Sequence, residues 1–140
     1  MGRSLAVLGA ILLSASAGAM NTAHAAPGAW VAERIAPTLR QRDRVYETPA
    51  LLPRATTPVT GHAITQVRWR HDYSVGATPL VARLCGAGRC VDASAARGHS
   101  DAFAGLPPRT AFRFRFRVEG RGVLAPVLHG APLKLVVNFE

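Results

Sequence analysis

Thr110-Ala111-Phe112-Arg113-Phe114-Arg115-Phe116-Arg117-Val118-Glu119-Gly120 alternates apolar and charged side chains without a break. Successive side chains of a strand point to opposite faces, so Phe112, Phe114, Phe116 and Val118 line one face while Arg113, Arg115, Arg117 and Glu119 line the other. This is a half-buried strand, and the chain around it reads in the same period of two. From His62 to Tyr73, Val67, Trp69, His71 and Tyr73 share one face, and Gln66, Arg68, Arg70 and Asp72 the other. Gly120-Arg121-Gly122 predicts a turn that folds the Phe strand back as a hairpin onto Val123 to Leu128, with Pro126 at an edge or a bulge. A final strand is expected from Leu133 to Phe139, and weaker ones near Ala29 to Ile35, Arg42 to Tyr46 and Ala102 to Ala104. Three prolines make the stretch from Pro49 to Pro58 an irregular connection. Helical periodicity is nearly absent after residue 26, so the expected fold is all-β: a small antiparallel β-sandwich of about seven to nine short strands. Its core is predicted at Trp69, Leu84, Val91, Phe112, Phe114, Phe116, Leu135 and Val137, with Trp30 and Phe103 closing the ends.

Cys85 and Cys90 are the two cysteines, in the string Arg83-Leu84-Cys85-Gly86-Ala87-Gly88-Arg89-Cys90-Val91-Asp92. Two glycines between them suit a hairpin loop, and an even pair at this spacing in an oxidising compartment reads as a disulfide across the ladder. The cross-link sets the register: Leu84 opposite Val91, and Arg83 opposite Asp92 as an ion pair on the other face. Closing so short a loop contributes about 2 kcal/mol by the chain-entropy estimate. The spacing is not C-x-x-C and no histidine lies close in sequence, which argues against a redox or zinc site.

The oxidising compartment follows from the N-terminus. Arg3 precedes an apolar run from Leu5 to Ala17, and Ala23-His24-Ala25 offers small residues where a signal peptidase reads. Residues 1–25 are expected to be a signal peptide and 26–140 a single β-sandwich domain that works outside the cytoplasm. The run falls short of the ~20 apolar residues a membrane span requires, so no stable membrane insertion is expected. Lys and Arg number 17 against 8 Asp and Glu, and Lys134 is the single lysine. A basic balance attracts anions, but export removes nucleic acid as a natural partner and leaves acidic proteins or an anionic envelope polymer.

No catalytic constellation, cofactor or metal set is expected. His99-Ser100-Asp101 holds the residue types of a nucleophilic triad, yet three consecutive side chains cannot aim at one another in the needed order, so a polar loop is predicted. His62, His71 and His129 lack ligand spacing, and His71, on the Trp69 face, is expected to be half-buried and hydrogen-bonded. Gly86-Ala87-Gly88 precedes no helix and cradles no phosphate. The chemistry that remains is a charged surface. Arg113, Arg115 and Arg117 form a positive ladder, which Arg68 and Arg70 would extend if their strand lay alongside.

Trp69-Arg70 with Tyr73, Pro79-Leu80, the cysteine string, Phe103-Ala104, Phe112-Arg113-Phe114, Gly122-Val123-Leu124-Ala125-Pro126 and Val136-Val137-Asn138-Phe139, taken in this order, resemble the flagellar FlhE family. Gly28 and Trp30 are similar to that family's early Gly-Ala-Trp segment. The likeness covers most of the chain from Pro27 onward, with no match seen between Arg34 and Pro58. It implies a periplasmic β-sandwich accessory of the flagellum, chaperone-like or plugging, that limits proton leakage through the type III export apparatus or assists assembly. The implied partner is an export, rod or basal-body protein, and the surface assigned to it is the arginine face together with Trp30. The alternative is an envelope glycan-binding module, which would need Trp30 or Trp69 exposed to stack on a sugar.

Overall fold

A computed structural model describes residues 27–73 and 79–140. The expected signal segment, residues 1–25, lies outside the described residues. Ten strands appear in chain order: β1 (Gly28–Ile35), β2 (Leu39–Gln41), β3 (Tyr46–Glu47), β4 (Ile64–Arg70), β5 (Leu80–Gly86), β6 (Arg89–Asp92), β7 (Arg97–Ser100), β8 (Phe112–Val118), β9 (Val123–Leu128) and β10 (Pro132–Phe139). They pair antiparallel in two four-stranded sheets, β1-β10-β4-β7 and β3-β8-β5-β6, with β2-β9 as a small third sheet.

Alternation dictates which faces meet. Phe112, Phe114, Phe116 and Val118 of β8 are fully buried, and so are Val67 of β4 and Leu133, Leu135 and Val137 of β10. The rings show the two sheets face to face: Trp30 of β1 lies 6.4 Å from Phe112, and His71, just past β4, stands edge-on to Phe116 at 5.4 Å. Phe103 also stands edge-to-face on Phe112 at 5.0 Å, and aromatic pairs of that geometry add stability beyond the area they bury. The β-sandwich expected from the sequence is present, and its predicted core is buried apart from Val91, which packs partly exposed against it.

The cysteine hairpin forms in the predicted register. Cys85 and Cys90 are disulfide-bonded across β5 and β6, with Leu84 opposite Val91 and Arg83 opposite Asp92. The ion pair expected between Arg83 and Asp92 is not among the salt bridges of the described residues. Ser94 takes the Asp92 carboxylate instead, donating its hydroxyl at 2.6 Å and its amide at 2.9 Å.

Three local expectations are corrected. The Gly120–Gly122 turn does not make a β8–β9 hairpin, because both edges of β8 are already taken by β3 and β5. Gly120 and Gly122 adopt positive φ of 109° and 93° and send the chain instead to β2, where Leu39 faces Leu128 and Gln41 faces Val123. Six residues of β9 span what three of β2 cover, so Pro126 sits in an irregular edge, as its missing N–H requires. Ala102 to Ala104 is a turn, with the Ala104 amide donating to the Asp101 carbonyl at 2.9 Å and Phe103 tucked against Phe112. The strand there comes earlier, so that His99 and Ser100 belong to β7 and are not a loop.

Candidate functional site

Among the described residues no group of three or more His, Cys, Asp and Glu side chains is placed to hold a metal ion. His71 is buried and its Nε2 lies 2.6 Å from the Ala93 carbonyl, so it serves the core. His99 and Ser100, as neighbours on a strand, point to opposite faces, and the Ser100 hydroxyl accepts from the Ala102 amide. Tyr73 donates to the Pro37 carbonyl at 3.1 Å, and burial pushes its phenol above the usual range.

The tryptophans are interior. Trp30 is 1% exposed, with Nε1 donating to the Pro108 carbonyl at 2.6 Å; Trp69 is 8% exposed and donates to the Ala95 carbonyl at 3.1 Å. Trp30 therefore cannot belong to a contact surface of the folded chain, and neither indole offers a face to a sugar.

The arginines are exposed but divided. Arg113, Arg115 and Arg117 stand on the outer face of β8, while Arg68 and Arg70 stand on the outer face of β4 in the opposite sheet. The inner faces of both strands meet the shared core, so the two basic groups lie on opposite outer surfaces and do not form one ladder. The β8 group also has acidic partners, two carboxylates for its three arginines. Arg115 Nε donates to Glu47 Oε2 at 2.8 Å, Arg113 reaches Glu47 Oε1 at 3.5 Å, and Arg117 reaches Asp43 Oδ1 at 3.0 Å. Local structure delivers those acids. The Asp43 amide donates to the Val118 carbonyl in a turn with Asp43 at φ 58°, and the Tyr46 hydroxyl accepts from the Arg40 and Gln41 amides. Glu47 then stands opposite Arg115 in the β3–β8 ladder. Asp43 and Glu47 are the two acids of an otherwise basic stretch, and that spacing was the available signal for their role.

Among the described residues the Arg68 group has no such partners. Arg68, Arg70, Arg97 and His99 are all exposed around a groove of about 380 Å³, and Arg97 and His99 were not among the residues the sequence singled out.

A cystine-closed antiparallel sandwich with this order of motifs matches known proteins closely enough to place it. The family model described as "Flagellar protein FlhE" matches residues 36–140. The chain belongs to the flagellar protein FlhE family. Similar relatives are the flagellar protein FlhE of Escherichia coli K12, 32% identical over 118 residues, and that of Salmonella typhimurium LT2, 34% identical over 118 residues. Each alignment spans 83% of this chain and 88% of the relative. A solved structure titled "Crystal Structure of FLHE" superposes with a TM-score of 0.73 at 34% identity, covering 83% of this chain and 99% of that one. The FlhE match runs through residues 36–58, where the motifs alone gave no likeness, and this is the stretch that supplies Asp43 and Glu47. Among the described residues no helix is long and apolar enough to cross a membrane.

Proposed function

We propose that this FlhE-family chain is an exported, periplasmic accessory of the flagellum, with residues 1–25 as its signal peptide. It acts by protein–protein contact at the type III export apparatus, limiting proton leakage through it or assisting its assembly. The observation that carries the proposal is the flagellar FlhE match across residues 36–140. The Cys85–Cys90 disulfide supports an oxidising compartment, and the interior tryptophans turn the choice away from sugar stacking. A rigid sandwich with charged outer faces and a packed core is suited to recognising a protein by surface complementarity.

The test is deletion of the gene in its source organism, with swimming and cytoplasmic pH followed by a pH-sensitive fluorescent protein. Rescue is attempted with the whole chain and with a chain lacking residues 1–25. Acidification or poor swimming cured only by the whole chain is the expected result. Normal pH and normal swimming without the gene would overturn the proposal, and rescue by the leaderless chain would overturn the periplasmic part of it.

A further inference from the structure

On the outer face of the β1-β10-β4-β7 sheet, basic side chains stand in register with little to neutralise them. Arg70 is directly opposite Lys134 on one side and Arg97 on the other, and Arg68 is opposite His99. Like charges directly opposite one another destabilise a sheet. The other sheet also sets Arg83 opposite Arg115, but there acids answer the charge, since Arg113, Arg115 and Arg117 meet Glu47 or Asp43; within the patch Lys134 alone has such a partner among the described residues, Glu33 at 3.9 Å. No salt bridge among the described residues includes Arg68, Arg70 or Arg97. Asp72 borders an adjoining groove with Arg70 and Arg97 but pairs with neither. Basic residues do guard sheet edges against aggregation; Arg68, Arg70 and Lys134, however, stand on interior strands with no edge to guard.

Beside this patch lies an open ladder. β7 ends its sheet, and among the described residues no strand lies on its far side. A strand added there would set alternate side chains opposite Arg97 and His99 on the outer face, at the same repeat of ~6.6–6.8 Å. We infer that β7 accepts an extended segment of another protein that carries carboxylates at alternate positions. Its backbone pairs with Arg97–Ser100, its acids meet Arg97 and His99, and Arg70 and Arg68 one strand further in strengthen the field. A second copy of this chain does not supply that segment, because no two of its 8 acidic residues stand at alternate positions. The inference rests on the protein-contact proposal above and names the chemistry of the partner.

The full chain, purified after export in a bacterial host, is titrated with a short peptide alternating threonine and glutamate. A peptide of the same composition with its glutamates in one block and phosphatidylglycerol vesicles serve as comparisons, and amide NMR shifts locate the binding. The expected result is shifts confined to β7 and its β4 neighbours, with the alternating peptide binding more tightly than the blocked one. Arg70→Gln with Arg97→Gln should weaken it by about tenfold, the sum of a few exposed charge pairs. Arg113→Gln with Arg115→Gln removes the same charge from the opposite face and should leave binding nearly unchanged. Equal losses in both variants, equal binding of the two peptides, or binding of vesicles alone would overturn it. The β7-side variant relieves like-charge contacts, so its thermal unfolding should show it folded. A flagellar phenotype on deletion without peptide binding would remove this inference and leave the function standing.

Discussion

Asp92 is exposed at the end of β6, yet its carboxyl is held below the usual carboxylate range. The largest cause is the Ser94 hydroxyl, then the Ser94 amide, with a smaller pull from Arg83. A depressed pKa in the folded state stabilises the fold above the ordinary carboxylate range and ceases to do so as pH falls through the folded value. Ser94→Ala should therefore move the Asp92 pKa upward, read from its carboxyl carbon in an NMR titration; an unmoved value would show that the hydroxyl is not the cause. The same change removes the acceptor of the Ala82 amide at 3.0 Å and should cost about 1 kcal/mol in urea unfolding. Contacts of this kind between residues two apart were not legible beforehand, because the ladder suggested the wrong partner, Arg83. Trp30 was read both as a core residue and as part of the contact surface, and burial keeps only the first of these. Gly28-Ala29-Trp30-Val31-Ala32 is apolar throughout, so alternation gives no contrast between faces, and only the pairing of Trp30 with Val137 of β10 turns it inward.

At the scale of elements, legibility followed contrast. β8 was readable because every second residue is charged, and the β5–β6 hairpin because a covalent link fixes its register. β3 and β7, with two and four residues, are too short for a period to show. The β8–β9 hairpin failed because turn chemistry says that a chain reverses, not which strand it then joins. The alternation of β8 makes a sharp prediction. Phe114 is fully buried, stacked on Phe116 at 5.8 Å, and Phe114→Ala should cost about 3–5 kcal/mol through the cavity it leaves. Arg115, one residue on, is an exposed half of an ion pair, and Arg115→Ala should cost no more than about 1 kcal/mol. Urea midpoints at unchanged slope would measure both, and similar losses would contradict the assignment of faces.

For the whole molecule, the decisive pairing joins the first strand to the last. β1 runs its full length against β10, from Gly28 opposite Phe139 to Ile35 opposite Pro132, and β10 lies between β1 and β4. Sheet closure thus depends on contacts that span nearly the entire described chain, the kind whose loop-closure cost delays folding until late. A chain ending at Ala131 would lose Leu133, Leu135, Val137 and Phe139 from the core, strand β1 would have no ladder partner, and β4 would be left with one edge open. That chain should show no cooperative unfolding transition and should be digested under conditions in which the whole chain resists protease. Val136→Thr, on the outer face of the same strand, should keep the transition, because it alters neither the ladder nor the inward face. A truncated chain that still unfolds cooperatively would mean that the β3-β8-β5-β6 sheet holds a core by itself. The first-to-last pairing would then be a late addition to the fold, and the basic patch of the other sheet would be carried on a separable layer.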